Sequence, residues 1–251
     1  ISSFHKHLKT GYLNSDFKFF HLKDNTQREF SFHYHDFNKI LIFLRGDVTY
    51  TIEGKSYELQ PFDLVLVRAG ELHRPVIHSE STYERIILYL SPDFISQYKD
   101  DSYDLEKCFT LAANASAHVL RMPYFKSSPL YHTIKALENS YCHPGEYAQE
   151  LFQRLLFLQF MIHLNRVAVS DNLEFLETST SNTKILECLD YINTHLPENL
   201  TADVLADRFF VSKYYLMHSF KKETGRSIGS YITTKRLLLA RQYISGGMPS
   251  T

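Results

Sequence analysis

The stretch from Thr201 to Gly225 constrains the fold most, because it encodes two short helices separated by a tight turn. Thr201 is a natural N-cap: its hydroxyl can accept from a first-turn amide, and Asp203 suits the positive end of the helix. Val204, Leu205 and Ala206 supply the apolar side. Ser212 caps a second helix on which Tyr215, Leu216, Ser219 and Phe220 share one face, and Gly225 ends it where a left-handed residue is wanted. The opposite stripe carries Tyr214, Met217, His218 and Lys221, with Lys222 at its edge and no acid. Phe210 occupies a turn position where glycine would relieve a positive φ. The pattern fits a helix-turn-helix presented to a DNA groove, and it also fits an ordinary helical hairpin with a solvated face.

At 251 residues the chain can bury two modest cores. Its charge is uneven: residues 183–251 hold 9 Lys and Arg against 6 Asp and Glu, and residues 1–182 hold 18 against 22. A mildly basic tail behind a mildly acidic front suits a separate nucleic-acid module, although the excess is small. Cys108, Cys142 and Cys188 are far apart in sequence, with neither metal-site nor redox-motif spacing, so a reducing cytoplasm is the expected setting. The most apolar run, Leu155 to Leu164, is too short to cross a bilayer, and no membrane association is expected. The chain opens at Ile1 without a signal-peptide core, which predicts that some native N-terminal residues are missing.

The fold class expected is α+β. Between Phe30 and Leu90, short β-type runs (Lys39 to Leu44, Val48 to Ile52, Ser56 to Leu59, Leu64 to Val67 and Tyr83 to Leu90) alternate with turn residues, as in a small antiparallel barrel or sandwich. Helical patterns take over at Ser91. The clearest runs from Tyr147 to Arg166, and with a preceding helix around Leu130 to Tyr141 it makes a helical hairpin. Leu151, Leu155, Leu158 and Ile162 give this hairpin a broader apolar face than one barrel needs, which predicts a homodimer contact through helices about 130–166. The polar stretch around Thr178 to Asn182 reads as a linker, although Leu173, Phe175 and Leu176 could dock on a neighbour. The domains expected are 1–170 (barrel about 17–90, helices about 91–169), a linker at 171–183, and a DNA-binding unit at 184–251.

Two residues apart, His33 and His35 point to one side of a strand, and His73 follows a later strand, so the three imidazoles can converge inside a closed barrel. With Tyr50 they form the candidate effector site: a few polar groups in an apolar wall. A three-histidine metal site and plain hydrogen bonding within the sheet are the alternatives. No catalytic nucleophile motif or phosphate-cradling glycine loop is present, so neither enzyme activity nor a cofactor is expected.

Thr201-Ala-Asp-Val-Leu-Ala206 followed by Val211-Ser-Lys-Tyr-Tyr-Leu-Met-His-Ser-Phe-Lys-Lys-Glu-Thr-Gly225 resembles the first helix-turn-helix of the AraC/XylS family of bacterial transcription regulators. Ile228 to Ile232 and Arg236 to Arg241 are similar to that family's connecting helix. The histidine spacing over roughly residues 17–90 resembles the cupin fold, with departures: Lys39 stands at the acid position, Phe62 follows Pro61 where glycine is usual, and Arg68 replaces a proline. An ammonium is a poor neighbour for a divalent cation, so no metal is expected.

The resemblance implies a cytoplasmic regulator that senses a small metabolite such as a sugar and binds double-stranded DNA, with RNA polymerase as a further partner. On the second helix, Tyr214, Met217 and His218 would meet base edges, while Ser212, Lys213, Lys221 and Lys222 hold the backbone. Lys235 and Arg236 are weaker phosphate candidates. Family members carry a second helix-turn-helix, which this chain lacks, so weakened DNA binding is expected. The competing reading is a metal-dependent cupin enzyme using His33, His35 and His73; a constitutive regulator with an empty barrel is a third.

Overall fold

A computed structural model describes residues 13–24, 30–78, 82–170, 174–176, 178 and 182–245. The first seven strands are β1 (Phe17–Asp24), β2 (Asn38–Arg45), β3 (Val48–Ile52), β4 (Lys55–Glu58), β5 (Leu64–Val67), β6 (His73–Ile77) and β7 (Tyr83–Leu90). Helices α1 (Pro92–Ile95) and α2 (Lys107–Asn114), strand β8 (Val119–Arg121), helices α3 (Pro129–Cys142) and α4 (Gln149–Ala168) and the short β9 (Glu174–Phe175) follow. The chain then continues as α5 (Thr183–Thr194), α6 (Ala202–Arg208), α7 (Lys213–Thr224) and α8 (Ile228–Ser245).

The strands form two sheets, ordered β1-β7-β2-β5-β8-β9 and β4-β3-β6. Among the described residues no ladder joins them into a closed barrel, so the arrangement is the double-sheet form of a jelly roll. Parity explains the unbroken apolar runs. In β2, Ile40 and Ile42 face the helices while Leu41 and Phe43 face the second sheet; β5 and β7 divide the same way. Both faces of the larger sheet are therefore buried, and these strands lose the apolar-polar alternation of a half-exposed sheet.

The helical layer forms as read, with α4 folded back on α3 by a six-residue connection. Leu156, Phe157, Phe160, Met161 and Leu164 bury the inner face of α4. Leu151, Phe152, Leu155 and Ile162 remain exposed, so most of the face singled out in the sequence points away from the sheet; Leu158 alone packs partly against the core. Within the polar linker, Phe175 and Leu176 do dock: Phe175 pairs with Leu120 of β8, and Leu176 donates its amide to Val119 O at 3.0 Å. Leu173 lies outside the described residues.

A third core belongs to α5 through α8, built on Ile185, Leu189, Leu205, Leu216, Phe220, Tyr231 and Ile232, and it includes Leu72 from the strand layer. No helix among the described residues is long and apolar enough to cross a membrane.

Candidate functional site

Local chemistry sets the geometry of α6 and α7. Thr201 Oγ1 accepts from Val204 N at 3.2 Å and Ser212 Oγ from Tyr215 N at 3.2 Å, each cap contributing about 1 kcal/mol. Gly225 closes α7 at φ 70°, its amide bonded to Lys221 O at 2.8 Å. Phe210 carries the positive φ anticipated for the turn, at 54°, with its ring in solvent. Leu216, Ser219 and Phe220 are buried, leaving Tyr214 (81 % exposed), Met217 (46 %), His218, Lys221 and Lys222 on the outer stripe.

Several expectations about this surface change. Val204, assigned to the inner side, is half exposed because a helix as short as α6 buries little beyond Leu205 and Ala206, and Tyr215 on α7 is half exposed as well. Lys213 is not a bare cation: its Nζ lies 2.8 Å from Asp203 Oδ2, an acid supplied by the neighbouring helix. That pair is solvated, so its attraction is weak and exchangeable. Lys235 and Arg236 on α8 are not available to phosphates in this conformation. Lys235 Nζ bonds Glu53 and Gly70 O, and the Arg236 guanidinium bonds Leu196 O at 2.8 Å and Glu198 O at 2.6 Å.

The second cluster lies between the sheets. His33 and His35 are not on a regular strand; an isolated antiparallel bridge pairs His33 with His73, with His33 N to His73 O at 3.1 Å and His73 N to His33 O at 2.9 Å. That bridge does the work expected of a strand. Ring centroids of His33 and His73 are 4.4 Å apart, of His35 and His73 5.2 Å, and the Tyr50 ring stacks 6.1 Å from His73. All four predicted residues meet.

His33 Nδ1 bonds Ser31 O and His73 Nδ1 bonds Glu71 O, both at 2.9 Å. Buried His73 Nε2 has no hydrogen-bond partner among the described residues. Burial, then the Lys39 ammonium and the neighbouring imidazoles, hold His73 well below the usual imidazole range, so it is neutral at pH 7 with a lone pair facing inward.

Two cations stand on this wall: Lys39, which the sequence set at the acid position, and Arg85, which sequence reasoning missed. Lys39, only 4 % exposed, donates to Tyr50 Oη at 2.7 Å. Arg85 lies over the Tyr83 ring at 4.0 Å and pairs with Asp24 at 2.6 Å. The signal for Arg85 was there: it stands at an odd position of β7 whose other odd residues, Tyr83, Ile87 and Tyr89, face the same core.

The three histidines do offer ligand atoms within 4.8 Å of one another. A dication among them would nevertheless face the buried Lys39 ammonium where the cupin pattern has a carboxylate, and a like charge in a poorly solvated interior is strongly unfavourable. The donor set does not fit a metal ion: it sets an acceptor, His73 Nε2, and a donor, the Lys39 ammonium, in one buried cluster.

Residues 19–156 match the family model described as the AraC-like ligand binding domain. The chain belongs to the AraC family of transcription regulators. It is 25% identical over 224 residues to the HTH-type transcriptional activator RhaS of Shigella sonnei, covering 87% of this chain and 75% of that protein. It is 24% identical over 223 residues to the uncharacterized HTH-type transcriptional regulator YbfI of Bacillus subtilis, covering 88% and 76%. Among solved structures it resembles fatty-acid-bound ToxT of Vibrio cholerae, at 14% identity and a TM-score of 0.43, covering 94% and 84%.

In this AraC-family chain the matched region takes in both sheets apart from the start of β1 and the short β9, the histidine cluster, and α3 with the first turns of α4. The capped helix pair lies beyond it.

Proposed function

We propose that this chain is a ligand-responsive, sequence-specific DNA-binding regulator. One observation carries the reading: α7 turns an acid-free stripe of aromatic, thioether, imidazole and ammonium groups to solvent while its other face is buried. Tyr214 and Met217 suit thymine methyls, and His218 suits a purine acceptor. Ser212, Lys213, Lys221 and Lys222 hold phosphates, Lys213 by exchanging Asp203 for DNA.

The effector enters between the sheets, where His33, His35, Tyr50 and His73 converge. A neutral, hydroxyl-rich metabolite such as a sugar matches the mixture of inward lone pairs and the Lys39 donor. The exposed Leu151, Phe152, Leu155 and Ile162 on α4 support a homodimer in the bacterial cytoplasm, with RNA polymerase as a further partner.

Selection from a randomised duplex pool tests the reading. The chain should enrich a defined sequence, and the double variant Met217→Ala/His218→Ala should lose the enrichment while remaining folded. A wild-type chain that binds duplex DNA without enriching any sequence would overturn the sequence-reading role.

A further inference from the structure

Glu53 sits at the tip of the β3–β4 hairpin, in a two-residue turn where both central residues have positive φ, 48° for Glu53 and 78° for Gly54. Such turns select Asn, Asp or Gly at the first position, since only small or locally bonding side chains tolerate the left-handed region. A glutamate there is a local misfit. It is also buried, whereas hairpin tips are ordinarily solvated. Strain and burial that the hairpin itself does not need point to a role elsewhere.

The carboxylate shows where. Oε1 accepts from Leu72 N at 2.7 Å and from Lys235 Nζ at 2.8 Å; Oε2 accepts from Tyr231 Oη. The Tyr231 hydroxyl also lies 3.1 Å from the Asn193 side chain, and Lys235 Nζ donates to Gly70 O at 3.1 Å. One acid of the strand layer is thus tied to α8 at two positions and, through Tyr231, to α5. The seam around it is close-packed: a Cβ on Gly70 would come within 2.8 Å of Leu238, and one on Gly225 within 2.5 Å of the Phe32 ring. Asp36 pairs with Arg241 at 2.8 Å, and Arg226 lies over the Tyr34 ring at 5.2 Å.

We propose that Glu53 is an autoinhibitory latch that holds the DNA-reading helices against the sensor and withholds the Lys235 ammonium from DNA phosphates. The proposal rests on the DNA-reading function above. Its logic is charge economy: an ammonium neutralised by an internal carboxylate releases no counterion when DNA binds, and one that is set free does. The latch is also placed to respond to the sensor. Leu72, which donates to Glu53, precedes His73, and the seam residues Phe32, Tyr34 and Asp36 alternate with His33 and His35.

The 251-residue chain, its Glu53→Gln and Lys235→Met variants, and a random-sequence duplex of about 30 base pairs make the test, read by anisotropy across a salt series and by small-angle scattering. Both variants should show a larger radius of gyration than wild type. Only Glu53→Gln gains the Lys235 contact, so its log K against log salt should be steeper than that of Lys235→Met by about 0.9, with binding about eightfold tighter than that variant's at ~0.1 M salt. Arg241, paired with Asp36 across the same seam, is released alike in both variants and cancels from the comparison. If Glu53→Gln fails to fold by circular dichroism, Tyr231→Phe, which removes a single hydroxyl, must show the same changes at smaller size.

An unchanged radius of gyration in the folded variants overturns the latch, whatever DNA does. Expansion with superposable salt slopes overturns the withholding of Lys235. Expansion without measurable DNA binding by any chain, wild type included, supports the latch and overturns the DNA-reading function.

Discussion

Helices α7 and α8 each carry three cations, and the two sets have different fates. On α7, Lys221 and Lys222 have no acid partner among the described residues, and Lys213 holds only a solvated aspartate. On α8, Lys235, Arg236 and Arg241 are all engaged by the chain itself, with Glu53, two carbonyls of the segment after α5, and Asp36. A count of positive charge along residues 183–251 treats these six groups alike. Their partners do not. What separates them is that one helix presents its polar face outward while the other lies in the seam between sensor and reader.

Three experiments would break or sharpen that contrast. The largest effect belongs to base contacts: Met217→Ala and His218→Ala should each cost about 1–3 kcal/mol against the selected sequence and little against random DNA, measured by competition binding. Equal losses on both duplexes would mean that α7 does not read bases. Next comes the salt response. Lys221→Ala should flatten log K against log salt by about 0.9, whereas Arg236→Ala should leave the slope unchanged because its guanidinium is already bonded internally. Identical slopes for the two variants would erase the distinction between the helices.

The smallest effect is on pH. Burial alone would raise the Glu53 carboxyl, but Lys235, Tyr231 and the Leu72 amide outweigh it and hold the group below its ordinary value. A carboxyl depressed in the folded state contributes stability above its unfolded pKa and loses it as pH falls through the folded one. Contact between reader and sensor should therefore be constant near neutrality and weaken only below about pH 4.5, seen as scattering expansion in acid. Expansion already at pH 6 would assign the seam to another group.

Local signals were legible in the sequence. The caps at Thr201 and Ser212, the stop at Gly225 and the strained Phe210 are decided by neighbours a few positions away, and the outer stripe of α7 followed from periodicity. Strands β2, β3, β4, β5 and β7 were readable as short runs between turn residues, whereas β1 and β6 were not. Phe17–Asp24 mixes His and Lys with Phe on a half-exposed edge, and His73–Ile77 contains a proline and an arginine. The imidazole cluster was legible as a set: parity placed His33 beside His35 and the histidine spacing put His73 with them, but the backbone bridge that joins His33 to His73 was not. Least legible was the seam. Nothing near Glu53 in sequence announces Lys235, because that pair exists only once two separately encoded cores have docked.

The bridge between His33 and His73 has a further consequence. Along an extended segment odd and even residues face opposite ways, so one pairing decides both that imidazoles line the interior and that Phe32 and Tyr34 abut the helices. A slip by a single residue would exchange the two sets, sending phenyl and phenol rings inward and turning the imidazoles toward Gly225 and Arg226. Chemical recognition and mechanical output are thus bound to one arithmetic choice of register, and neither can drift without spoiling the other.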